Sequence, residues 1–210
     1  MSQTFERLFS GRHSLSREQV VESQRLRMLA AVAECIMQYG YVDTTVEKII
    51  KKSRVSRETF YQQFKNKQDC FIQSLDLASQ ILRATVAADY VKLPKNTRLN
   101  FEQIARAVLT SYFTALIENK PYARLFLVDV WAAGQAAIDK RIEVNKAFVE
   151  FVTAMLNAKT EEERFACEVL TGAISSLVTF RVGANDFDSL LDLVDPLILV
   201  IKKLFPNLSK

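Results

Sequence analysis

Apolar positions recur at three- and four-residue intervals along almost the whole chain, the spacing that lines one face of an α-helix. Leu29, Val32, Ala33, Ile36 and Met37 fall on one such face, and the pattern predicts a first helix from about Ser16 to Tyr39. Ser16 and Gln19 supply a capping box at its start, and Gly40 supplies a left-handed C-cap at its end. Val46, Ile49 and Ile50 mark a short second helix, opened by a box of Thr44 and Glu47. Ser53-Arg54-Val55 has room only for a tight turn. Ser56 then caps a third helix, Arg57 to Phe64, through its hydroxyl. Asn66 and Asp69 repeat the device for a long helix from Lys67 to about Asp89. The two short helices cannot stand alone, because helix nucleation is costly. Ile49, Ile50, Phe60 and Phe64 therefore pack on the first helix and make a three-helix head.

Beyond the head everything again reads helical. Val91 to Asn96, which contains Pro94, is the best loop in the chain. Further helices are expected at about 98–118, 121–133 and 135–157, with Gly134 breaking or bending the chain between the last two. Thr160 and Glu163 form another capping box, and that helix ends at Gly183. The last helix starts near Asp186 and ends at Lys202-Lys203. Asp195-Pro196 inside it calls for a kink or two short helices. The fold class is all-α: an N-terminal helix-turn-helix head over 1–66 and a larger helical unit over 67–210.

Charge changes the picture. Residues 44–67 hold seven Lys/Arg against two Asp/Glu. Residues 1–70 hold 12 against 8, a net of +4, and the whole chain holds 28 against 24, also +4, so the remainder balances. A positive excess confined to the head is the footprint of phosphate binding. On the third helix Arg57, Glu58, Gln62 and Gln63 face outward. Arg reads guanine, Gln reads adenine and Glu accepts from cytosine, while Thr59 and Tyr61 carry hydroxyls suited to phosphates. The plain alternative is a solvated polar face. Gly11-Arg12-His13 ahead of the first helix is either a minor-groove arm or a frayed end.

These residues resemble the TetR family of bacterial transcriptional regulators. The resemblance rests on an ordered set: R-x-R-M-L-A-A-V-A-E (Arg25 to Glu34), Gly40-Tyr41, TTVEKI (Thr44 to Ile49), VSRETFYQQF (Val55 to Phe64) and Asn66-Lys67. GRHSLSREQV and SQR resemble an N-terminal extension found in part of that family. The resemblance implies that Thr45, Arg57, Thr59, Tyr61, Gln62 and Lys67 touch DNA, Tyr61 and Lys67 on phosphates. Where the family often has Gly, this chain has Arg54, which adds strain if the turn needs positive φ.

The second unit is rich in rings. Tyr112, Phe113, Phe126, Trp131, Phe148, Phe151, Met155 and Phe180 stand on different helices. Such residues make either a packed core or an apolar ligand cavity; the resemblance favours the cavity. Asp129 sits in LFLVDVW, where a buried carboxylate needs a partner, either a polar ligand atom or a base such as Arg106. The C-terminal helices carry small residues (Gly172, Ala173, Ser175, Ser176) and then an almost wholly apolar stretch, Leu190 to Leu204. A terminal helix apolar nearly all round is buried on more than one side. The expected interface uses Gly172, Ser176, Leu197 and Ile201, with two helices from each subunit forming a four-helix bundle, the way the family dimerises.

Composition excludes more than it assigns. No apolar run reaches a membrane span of about 18–20 residues. The N-terminus lacks a secretory h-region. Cys35, Cys70 and Cys167 are far apart and read as reduced core residues, consistent with the cytoplasm. With a single histidine a zinc site has no support, and no nucleophile elbow, phosphate loop or dinucleotide fingerprint appears. The expectation is a non-enzymatic, cofactor-free, homodimeric regulator, most simply a repressor released from a palindromic operator in double-stranded DNA by a small apolar effector. The alternative is a DNA-binding or assembly protein with no effector.

Overall fold

The structure is a computed structural model that describes residues 16–93 and 100–206. The arm at Gly11-Arg12-His13 and the loop residues Pro94-Lys95-Asn96 lie outside the described residues. The described residues contain nine α-helices and no strand. They are α1 (Arg17–Asp43), α2 (Val46–Ser53), α3 (Arg57–Gln63), α4 (Lys67–Lys92), α5 (Phe101–Glu118), α6 (Lys120–Leu127), α7 (Gln135–Met155), α8 (Glu161–Gly183) and α9 (Val194–Leu204). Two 3-10 segments, Asp129–Ala132 and Asp188–Leu193, lead into α7 and α9.

The local signals place the helix starts. Ser16 and Gln19 form the expected capping box of α1, Thr160 and Glu163 that of α8, and Asn100 and Gln103 one that opens α5. The box at Thr44 is a correction. Thr45, one residue on, caps α2 by accepting from the Lys48 amide at 3.3 Å. Thr44 is buried and donates its hydroxyl to the Gly40 carbonyl at 2.7 Å. Helical hydrogen bonding carries α1 past Gly40 to Asp43, but the chain kinks there, at φ 75° and ψ 167°. Only glycine adopts that region without strain.

The predicted 121–133 helix stops at Leu127, and Gly134 (φ 89°) turns the chain into α7. The last helix is broken as expected. The break lies between Leu193 and Val194, which leaves Pro196 in the first turn of α9, where its missing amide costs no helical hydrogen bond.

In the head, α1 packs on α2 and α4, with Met28, Val32, Ala33, Ile36, Ile49, Phe60 and Phe64 essentially fully buried. The 26 residues of α4 make a rod of about 39 Å at about 1.5 Å per residue, running from the head into the body. There it packs against α5, α6 and α7. The head also touches the body directly, because α1 lies along α6. Among the described residues α8 is long and apolar enough by composition to cross a membrane, against the expectation from sequence. One side of it packs on α6 and α7, while Phe165, Val169, Leu177 and Phe180 remain exposed along the other.

Candidate nucleic-acid interface and ligand cavity

The turn before α3 closes as the sequence requires. Arg54 ends α2 in the left-handed region, φ 55° and ψ 45°, a conformation that suits glycine better than arginine. Ser56 caps α3 by accepting from the Thr59 amide at 3.0 Å. Phe60 and Phe64 face inward with ring centroids 5.5 Å apart and lock the helix in rotation. That leaves Arg57, Glu58, Tyr61 and Gln62 exposed on its outer face. Lys51, Arg54 and Lys65 are exposed as well.

Several of these side chains already have partners. Arg57 donates to Glu47 Oε1 at 2.9 Å, and Gln62 donates to Glu58 Oε1 at 3.2 Å. Exposed pairs of this kind are worth about 0.2–1 kcal/mol, so either opens at little cost for a base edge. The Thr59 hydroxyl lies 2.9 Å from that of Ser56. Thr45 is exposed but its oxygen caps α2. Gln63 turns away and donates to the Val21 carbonyl at 3.3 Å.

Lys67 occupies a different place from the others. Its ammonium donates to the Tyr41 carbonyl at 2.7 Å and lies 4.1 Å from the Tyr41 ring centroid. Burial lowers its pKa from the ordinary lysine value. The side chain closes the kink at the end of α1.

Asp129 is on the same kink, from the body side. Its Oδ1 accepts from the Tyr41 amide at 3.0 Å, and its Oδ2 lies 3.2 Å from Arg124 Nε. The expected partner Arg106 is elsewhere, paired with Asp195 at 2.7 Å. Asp129 therefore ties the body to the head and does not line the cavity. Burial raises its pKa from the ordinary carboxylate value, against the opposing pull of the Tyr41 amide and Arg124. A third tie joins α4 to the turn before α7, where the Gln68 amide donates to the Ala133 carbonyl at 2.7 Å.

The body holds a partly open cavity of about 80 Å³ among α4 to α8, lined by Val86, Val108, Leu109, Tyr112, Phe126 and Phe148 among others. Of the sequence candidates, Tyr112, Phe126, Phe148 and Phe151 line it. Phe113 is fully buried in the core beside it. Trp131 and Phe180 are corrections: they are 57% and 77% exposed and line an open groove of about 1320 Å³ between α7 and α8. Periodicity gave them a face but not which neighbour covers it.

Arg141 was missed. It is 7% exposed and lines both cavity and groove. It donates to Ser175 Oγ at 2.8 Å and lies 4.1 Å from the Phe126 ring centroid. Its Nε is buried without a hydrogen-bond partner, and burial lowers its pKa. Burying an ion costs several kcal/mol. A charge-assisted hydrogen bond returns about 1.5–3 kcal/mol and a desolvated cation–π contact about 2 kcal/mol. The available signal was the spacing Ala137, Arg141, Val144, Phe148 on one helical face.

On the candidate interface, Gly172 and Ser176 are exposed; a Cβ at Gly172 would meet nothing within 4 Å. Leu197 and Ile201 are corrections, since both are buried within the protomer, where α9 packs on α5. The outer face of α9 carries Leu199, Val200 and Leu204 instead.

No curated protein matches the chain. Residues 28–73 match the family model described as bacterial regulatory proteins, tetR family. Among solved structures, the fatty acid degradation regulator FadR of Bacillus halodurans superposes with a TM-score of 0.72 at 19% identity, over 87% of this chain and 94% of that one. FadR of Bacillus subtilis, in complex with stearoyl-CoA, gives 0.70 at 20% identity over 86% and 97%. A TetR-family transcriptional regulator of Streptomyces coelicolor gives 0.68 at 18% identity over 94% and 98%. The family match covers the helix-turn-helix, and the fold likeness extends through the body. Residues 28–73 are thus similar to the helix-turn-helix of the tetR family of bacterial regulatory proteins, and the chain shares the overall fold of these solved regulators.

Proposed function

We propose that the chain is a homodimeric, ligand-responsive repressor. It works in the bacterial cytoplasm, reads a two-fold symmetric operator through α3 of each protomer, and is released by a small effector with an apolar body. The observation that carries the DNA half is the outer face of α3. Arg57, Glu58, Tyr61 and Gln62 stand exposed there, on a helix held by Phe60 and Phe64. Two such helices in successive major grooves lie about 34–36 Å apart. The exposed stripe Phe165, Val169, Gly172, Ser176 and Phe180 on α8, with Leu199 and Val200 on α9, supports pairing of these two helices with their copies.

The effector half rests on the cavity, and on the ties that join its walls to the head. Phe126, which lines the cavity, belongs to α6 together with Arg124, and Arg124 meets Asp129 on the α1 kink. A ligand that moves α6 thereby moves the head. The stearoyl-CoA complex of the Bacillus subtilis relative supports an acyl-like ligand. One observation favours the alternative, DNA binding without an effector: about 80 Å³ is small beside typical ligand pockets of about 300–1,000 Å³, so a ligand must widen the cavity or use the groove. The test is selection of a duplex from random DNA, followed by an effector screen on that duplex. Release by an acyl ligand is the expected result. Operator affinity indifferent to every ligand that binds the protein leaves the alternative.

A further inference from the structure

We propose that Arg141 anchors the head group of the effector, and that the effector is a single-tailed amphiphile: an acyl chain ending in a carboxylate or its thioester. The proposal rests on the ligand-responsive reading above and specifies its ligand.

Three observations lead there. Arg141 is a nearly buried cation with no carboxylate partner among the described residues, whereas the arginines Arg57, Arg106 and Arg124 each hold one. Its bond to Ser175 and its contact with Phe126 leave Nε bare. A guanidinium remains charged in any protein setting, so the missing partner is an oxygen acceptor, best an anion.

The second observation is position. Arg141, Asn145 and Ser175 are the residues that line both the smaller apolar cavity and the wider groove. Arg141 and Asn145 are one helical turn apart on α7 and Ser175 faces them from α8. All three present hydrogen-bond donors at the throat between the two spaces.

The third is the wall beyond the throat. Val86, Val108, Leu109, Phe148, Phe151 and Val152 offer an acyl chain apolar contact and little else. A compact polar anion would leave that surface unused, and a plain hydrocarbon would leave Arg141 unpaired. An acyl chain with an oxygen-bearing end satisfies both. A free acid or the carbonyl of a thioester ends at the throat.

The probes are dodecanoate, dodecanoyl-CoA and dodecan-1-ol, each below its micelle concentration, titrated into the full chain by calorimetry. The single tryptophan, Trp131, lies in the same groove and gives a fluorescence signal. Wild type should bind dodecanoate or dodecanoyl-CoA at least tenfold more tightly than dodecan-1-ol; the preferred one identifies the head group. Arg141→Met should abolish the preference by weakening the acid or thioester while dodecan-1-ol binds as well or better. A merely structural role would weaken all three together. Arg141→Lys keeps a point charge and should retain part of the preference for dodecanoate. It also serves if the Met variant does not fold.

Less than a tenfold difference in wild type overturns the proposal, as does a preference that survives in folded Arg141→Met. If all three bind alike and still release the operator, the effector reading stands and the anchor falls. If none binds and none alters operator affinity, both fall while DNA binding stands.

Discussion

Replacing Asp129 separates a tie between domains from a ligand contact. The carboxylate is 8% exposed and performs two tasks: it accepts from the Tyr41 amide at 3.0 Å and faces Arg124 at 3.2 Å. Asp129→Ala leaves that amide without its acceptor, at about 1–3 kcal/mol. The Arg124 side chain is 25% exposed, but the Nε that faces Asp129 is buried, so loss of its pair adds about 1–3 kcal/mol. Against this, burial makes the charge itself costly, as the raised pKa shows, and the alanine variant recovers that cost. The net loss should be about 2–4 kcal/mol. Asp129→Asn keeps an acceptor for Tyr41 without the charge, and should lose less than about 1 kcal/mol.

The pH dependence has a definite sign. The folded-state pKa lies above the unfolded value of 3.8. The folded state therefore binds the proton first as pH falls, and wild type should gain stability relative to Asp129→Asn from neutral pH down toward 3.8. The gain disappears as pH rises through the folded pKa. Urea unfolding followed by helical signal, compared at equal slope, gives the ranking. If Asn costs as much as Ala, Arg124 and not the Tyr41 amide is the contact that matters. If Asp129→Asn changes ligand affinity tenfold while stability holds, Asp129 belongs to the ligand site and the assignment as a tie is wrong.

Four further outcomes are expected. Tyr61→Ala should weaken binding to all duplexes alike with no loss of thermal stability, whereas Lys67→Ala should also destabilise the head by about 1–3 kcal/mol, because its ammonium bonds the Tyr41 carbonyl; equal melting temperatures for the two would contradict this. Arg54→Gly should relieve strain of up to about 1 kcal/mol at the left-handed turn while lowering DNA affinity, read by melting and by titration at fixed salt. A Cβ at Gly172 meets no atom within 4 Å in the protomer, so Gly172→Glu should leave the fold intact but split the dimer in sedimentation; a persisting dimer moves the interface away from α8. Operator affinity should fall steeply with salt, each phosphate contact contributing about 0.9 to the logarithmic slope, and a flat dependence would argue against phosphate contacts.

Legibility in the sequence followed range. The caps at Ser16, Ser56, Asn66 and Thr160 were readable because donor and acceptor lie three residues apart. The Thr44 box failed by one residue, since either threonine suits the position and only packing buried one of them. Asp129 was visible as a carboxylate needing a partner, but that partner is a backbone amide 88 residues away, which no periodicity encodes. Trp131 and Phe180 read as core or as cavity wall because apolar spacing gives a face without naming its cover. Arg141 went unremarked among Asp139, Lys140 and Glu143; its helical register with Ala137 and Phe148 was the available guide.

The central claim is that α3 reads DNA. Its direct test is fluorescence anisotropy of the selected operator and of an unrelated duplex at one salt concentration, with wild type and an Arg57→Ala, Gln62→Ala double variant. Each lost base contact is worth about 1–3 kcal/mol, so about 2–6 kcal/mol together, and operator affinity should fall at least about 30-fold. Affinity for the unrelated duplex should change far less, since the exposed bases Lys51, Arg54 and Lys65 remain. A double variant that binds the selected operator as tightly as wild type would contradict the account.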